Sequence, residues 1–148
     1  MQKRPFELYI LCLLLLFIAV GALYGGGALI LKPDGSLLGM QLWLGKIHFP
    51  DFLLPGIILL VFNGLLPLLV VAGLLFKPDC KFANALNLYK DKHWAWAYSV
   101  YSGIIMLLWI IIQQFLTDFF VLQPIVALGG LLIVVFTLTP RVMAYCRK

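Results

Sequence analysis

The chain is 148 residues long, 64% hydrophobic and 11% charged, with a mean hydropathy of +1.05. Soluble domains run nearer ~45–50% apolar and ~25% charged, so this balance excludes a water-soluble globule, and so little charge excludes a disordered chain. The formal net charge of +5 reads as a topogenic signal and an attraction to anionic headgroups, with no nucleic acid implied.

Four stretches lack Asp, Glu, Lys and Arg: Leu8–Leu31, Phe52–Phe76, Trp94–Thr117 and Phe119–Pro140. A bilayer core of ~30 Å needs ~20 residues of helix, so each stretch suffices for one crossing and none for two. A lipid-exposed backbone must be helical there, and runs such as Leu13-Leu14-Leu15-Leu16 lack the alternation of a barrel strand. The expected fold is an all-α membrane protein, a four-transmembrane-helix bundle forming a single domain over 1–148. Its helices are expected at about residues 8–27, 52–76, 94–116 and 121–140.

The first stretch follows Lys3 and Arg4, as a secretory signal would, but it exceeds the usual ~7–15-residue apolar region and reads as a retained helix. Gly25-Gly26-Gly27 is expected to end it. Lys32-Pro33-Asp34-Gly35-Ser36 then carries turn chemistry between two apolar segments. That predicts a short extracytoplasmic β-hairpin, with an irregular loop as the alternative, and Leu42, Trp43 and Leu44 as interfacial anchors.

Asp51-Phe52-Leu53-Leu54-Pro55 places an aspartate at the N-cap of the second helix and a proline in its first turn. Asn63-Gly64 and Pro67 interrupt the ladder near the bilayer centre. Asn63 is a candidate intramembrane polar site. Either it bonds a neighbouring helix, or it marks a broken helix lining a cavity; a lone polar residue favours the first.

The basic loop from Lys77 leads to His93, Trp94 and Trp96, an interfacial belt at the start of the third helix. His93 has no companion ligand, so no metal site is expected. Ser99, Ser102, Gly103, Met106, Trp109 and Gln113 recur at three- and four-residue steps and share a face. Ser99-x-x-x-Gly103, Gly21-x-x-x-Gly25 and Gly129-Gly130 predict close helix packing. The functional alternative puts Trp109 and Gln113 in an outward-facing pocket near Asp118. Thr117-Asp118 and Gln123-Pro124 supply a tight turn, making the third and fourth helices antiparallel neighbours.

Lys3, Arg4, Lys77, Lys81, Lys90, Lys92, Arg141, Arg147 and Lys148 fall on one side of such a bundle, and only Lys32 and Lys46 on the other. The positive-inside rule then puts both termini in the cytoplasm. The outer face collects a candidate polar cluster of Asp34, Asp51, Asp118, Trp109 and Gln113. Three converging carboxylates could hold a hard cation, yet a turn, a cap and a second turn account for each aspartate separately.

Cys12, Cys80 and Cys146 are odd in number with no C-x-x-C, which argues against a thiol oxidoreductase and a zinc site. H-E-x-x-H, G-x-S-x-G and P-loop motifs are missing, and no carboxylate or base lies deep within a span, Glu7 sitting at the edge of the first. The sequence therefore reads as a non-enzymatic accessory or interaction subunit without cofactor or metal. Its expected partners are the lipid bilayer and either another membrane protein or a second copy. The alternative is a small transporter or channel subunit lined by Asn63, Trp109 and Gln113. A weaker alternative is an outer-leaflet lipid-modifying enzyme using Asp51 and Asp118.

Gly25-Gly26-Gly27, Pro33-Asp34-Gly35-Ser36, Asp51-Phe52-Leu53-Leu54-Pro55-Gly56, His93-Trp94-Ala95-Trp96, and Trp109 with Gln113 together resemble a family of small four-span bacterial membrane proteins of uncharacterised activity. In that pattern a Ser-Pro-Phe stretch precedes the aspartate, where this chain has Ile47-His48-Phe49-Pro50, which makes His48 a poor ligand candidate. The resemblance covers nearly the whole chain and implies a bacterial inner membrane, with no activity attached.

Overall fold

The computed structural model describes residues 3–148. Six helices follow one another: α1 (Phe6–Leu31), α2 (Leu53–Phe76), the short α3 (Lys81–Ala85), α4 (Trp94–Leu116), α5 (Leu122–Thr137) and the short α6 (Pro140–Tyr145). Helices α1, α2 and α4 are each long and apolar enough to cross a membrane. Helix α5 has 16 residues and covers about 24 Å, less than the hydrocarbon thickness.

The predicted hairpin is wrong: among the described residues there is no strand. Its turn does form, with the Gly35 amide bonding the Lys32 carbonyl at 2.9 Å and Gly35 at φ 77°. The apolar residues beyond it then wind into two tight turns, Ser36–Leu38 and Gln41–Lys46. Met40, Trp43, Leu44 and Ile47 are spaced by three and four residues, a helical rather than an alternating period. That period lets them settle together onto Leu29 and Phe52 in a small second core.

The glycine run does not end α1, which continues to Leu31. A Cβ at Gly26 would lie 2.8 Å from the Leu60 amide nitrogen and 2.9 Å from the Gly56 carbonyl oxygen. A Cβ at Gly56 would meet Leu29 Cβ at 2.7 Å. The glycines therefore let two backbones touch, and unbroken helix satisfies amides that lipid could not. Gly21 faces open space, so the expected Gly21-x-x-x-Gly25 contact is not the one that packs.

Helix α2 widens into a π turn over Leu59–Leu65, immediately before Pro67. Proline has no amide to offer the Asn63 carbonyl and crowds it sterically; widening the turn relieves both. The Leu66 amide reaches back five residues to the Val61 carbonyl.

Helices α4 and α5 touch at Gly103, where a Cβ would be 2.9 Å from the Gly130 carbonyl oxygen. Nearer the chain ends, Ser99 and Thr137 share a 2.7 Å hydroxyl bond and Trp96 Nε1 donates to the Thr137 carbonyl at 2.8 Å. Helix α5 stops at Thr137, short of the expected 140, because Thr139 and Pro140 open a new helix. The main core draws on all these elements, with Leu8, Leu11, Leu15, Val70, Trp94, Ile133 and Val142 essentially sealed. Large apolar side chains such as Leu13, Phe17, Leu69, Ile111 and Leu131 point outward, as a lipid-facing surface requires.

Lys3–Pro5, the segment from Lys77 to Lys92 and the C-terminus meet at one end of the helices. Arg4 Nη2 donates to the Leu75 carbonyl at 2.8 Å, the His93 amide to the Cys146 carbonyl at 2.7 Å, and the Lys148 amide to the Asp91 carbonyl at 3.0 Å. This is the basic end. Asp34, Asp51 and Asp118 lie at the opposite end.

Candidate functional site

At the aspartate end, the Gln41–Lys46 turn is strapped onto the α4–α5 connection. Trp43 Nε1 donates to Asp118 Oδ2 at 2.9 Å, and Lys46 Nζ sits 3.1 Å from both carboxylate oxygens. The Trp43 ring stacks on Phe120, centroids 6.3 Å apart. The Trp43 donor first, then the Lys46 ammonium, holds the Asp118 carboxyl below its ordinary value. Both members of the ion pair are more than half exposed, so their attraction alone contributes little; the indole donor and ring stacking set the register.

Asp34 Oδ1 accepts the Ser36 amide at 3.0 Å within its turn, and that donor lowers its pKa. Asp51 lies just before the cap residue Phe52 and accepts the Leu53 amide at 3.0 Å, satisfying an orphan donor at the start of α2. Each carboxylate thus has separate partners, Asp34 and Asp51 within their own turns and Asp118, expected to serve only the α4–α5 turn, across the chain at Trp43 and Lys46. Among the described residues no three His, Cys, Asp or Glu side chains converge as a metal site. His48 is exposed.

Trp109 is half-buried and packs against the main core, while the Gln113 carbonyl accepts both the amide and the hydroxyl of Thr117, at 2.9 and 3.0 Å. A residue the sequence reading treated only as turn punctuation organises this region. Gln123 is 1% exposed, accepts from Gln114 Nε2 at 2.9 Å and donates to Thr117 Oγ1 at 3.1 Å. Its amide knots the α4–α5 connection from inside. The signal for it was a lone polar side chain set between apolar residues and a proline.

Asn63 behaves differently. It is 1% exposed, inside the π turn, and neither Oδ1 nor Nδ2 has a partner. Ser102 Oγ on α4 is likewise buried and unpartnered. Gly64 packs on Leu23 of α1, and Gly73 on Ala95 of α4, so α2 runs between them and antiparallel to both. Counting back from the Gly73–Ala95 contact places Asn63 and Ser102 within about a turn of the same depth. A buried unpartnered polar group costs roughly 1–3 kcal/mol. Neither side chain ionises near neutrality, so neither supplies a charge at this depth.

At the start of α4, His93 Nδ1 accepts the Ala95 amide at 3.3 Å, which leaves Nε2 protonated and donating to the Pro78 carbonyl at 3.2 Å. Burial lowers its pKa, so the ring is a neutral cap.

Comparison with known protein families, curated proteins and solved structures finds no match to this chain. Fold and composition define a class: an all-helical protein with three helices long and apolar enough to cross a bilayer.

Proposed function

We propose that the chain is a four-span, non-enzymatic subunit of a bacterial inner membrane, with both termini cytoplasmic, acting through contacts with another membrane protein or a second copy. The observation that carries this is the separate use of every candidate carboxylate: Asp34 in a turn, Asp51 at a helix start, Asp118 in the Trp43–Lys46 strap. Helix α5 supports a fourth crossing, because Gln123 joins it to the aspartate end and Thr137 joins it to Trp96 and Ser99 toward the basic end. The excess of Lys and Arg at the basic end supports the orientation. The resemblance to small four-span bacterial proteins supports the inner membrane.

A transporter or channel subunit is the second reading, favoured by the unpartnered Asn63 and Ser102 in the bundle centre. A lipid-modifying enzyme has least support, since it needs Asp51 and Asp118 to act together. Reconstitution in vesicles separates the three. The subunit reading expects a native mass in mild detergent above that of the 16.6 kDa chain. It also expects no solute flux beyond that of empty vesicles, and unchanged lipid composition in cells carrying D51N or D118N. A flux abolished by N63A or Q113A, or lipids altered by either aspartate variant, overturns it.

A further inference from the structure

We propose that the basic end carries a binding cleft for the headgroup of an anionic phospholipid. A shallow, open cleft of about 280 Å³ lies between the start of α1 and α6, lined by Lys3, Pro5, Arg141, Ala144 and Tyr145. Its walls are held in place from behind. Arg4 is tied to the Leu75 carbonyl at 2.8 Å, the Tyr145 hydroxyl donates to the Leu74 carbonyl at 3.2 Å, and Lys77 Nζ donates to the Tyr145 carbonyl while sitting 3.6 Å from the ring centroid. Lys3, Arg4, Lys77 and Arg141 therefore gather about a single tyrosine.

The acids at this end do not balance them. Glu7 meets Arg141 through one contact, Nη1 to Oε1 at 2.9 Å, leaving the other guanidinium donors available on a side chain 74% exposed. Asp79, which keeps its charge while accepting from Asn84 at 2.9 Å, and Asp91, paired with Lys92 at 2.6 Å, do not line the cleft. A planar guanidinium beside an ammonium suits a phosphate diester, which Arg can grip with two parallel donors.

The flanks point to a lipid rather than a soluble phosphate. Phe6 at the start of α1 and Phe76 at the end of α2, two helix ends joined by the Arg4–Leu75 bond, are 73% and 78% exposed. A headgroup in the cleft would run its acyl chains past such side chains.

The test is phosphatidylglycerol binding to the purified full chain in neutral detergent, followed by native mass spectrometry. Removing two cleft cations with K3Q/R141Q is expected to weaken binding about 30-fold, and K3Q alone, which breaks no ion pair, about fivefold. K81Q/K90Q, which removes the same charge outside the cleft, is expected to stay within about twofold of the parent. Phosphatidylcholine and inorganic phosphate at equal concentration are expected not to compete. Equal weakening by the two double variants shows diffuse attraction and overturns the site. Unchanged affinity in K3Q, or equal competition by phosphatidylcholine, also overturns it. Competition by inorganic phosphate overturns the lipid assignment.

Discussion

Gly26 and Gly27 are neighbours in one glycine run, and the structure predicts opposite outcomes when each becomes alanine. At Gly27 an added Cβ meets nothing within 4 Å. Alanine there keeps only the propensity gain, about 0.5–1 kcal/mol in favour of the folded state. At Gly26 the same methyl group would stand 2.8 Å from one backbone atom of α2 and 2.9 Å from another, neither at the end of a flexible side chain. The two helices must separate, at an overpacking cost of about 1–3 kcal/mol that outweighs the propensity gain. Since α1 packs on α2 over several turns, the shift also disturbs Gly64 against Leu23. The propensity gain is common to both, so the two variants should differ by the overpacking cost alone, about 1–3 kcal/mol, a factor of about 5 to 150 in the unfolding equilibrium. Titration from mild detergent into dodecyl sulfate, followed by far-ultraviolet circular dichroism, measures this directly. Equal stability of G26A and G27A, or a less stable G27A, would refute the backbone contact between α1 and α2.

Asn63→Leu replaces a buried amide lacking partners by an apolar side chain of similar size, so it should leave stability unchanged or raise it by about 1–2 kcal/mol; a loss above 1 kcal/mol in the same titration would mean that Asn63 is hydrogen-bonded in the bundle. Cys80 is exposed whereas Cys12 and Cys146 are buried, and burial pushes the Cys146 thiol up to about 11. Maleimide at neutral pH should therefore add one label to the folded chain and three after denaturation, read by intact mass. The lowered pKa of His93 means that the unfolded chain binds its proton more readily. The neutral cap's contribution is then complete above the ordinary value of 6.5 and is lost as the pH falls through the lower folded value. His93→Asn, which preserves a capping side chain, should flatten that dependence between pH 7.5 and pH 5.

The long helices were legible because hydrocarbon tolerates so few charges, and the gaps between charged residues bound them. Pairings remote in the chain were not. Trp43 and Lys46 meet Asp118 across more than seventy residues, and no local pattern announces that strap. The glycine run was read as a stop because its reason lies on the partner helix, at Gly56 and Leu60. The hairpin expectation had the right turn at Pro33-Asp34-Gly35 but gave no weight to the period of Met40, Trp43, Leu44 and Ile47, which marks one face of a helical coil. Among the candidate site residues, Asp34 was legible as a turn residue and Asp51 as one that holds the start of α2, one position ahead of the actual cap Phe52, since the amides they hold are two residues away. Gln123 was underrated because polar residues beside proline usually serve the turn itself, whereas this one is buried and fully bonded. The orphaned state of Asn63 depends on what surrounds it from other helices, so no reading of one strand of sequence reaches it.

Sidedness tests the whole account most directly. In intact bacterial cells, a membrane-impermeant maleimide should label Lys32→Cys at the aspartate end and leave Cys80 at the basic end unlabelled until the membrane is opened. Labelling of Cys80 from outside, or of both positions without opening the membrane, would contradict a bundle with its basic end and both termini in the cytoplasm.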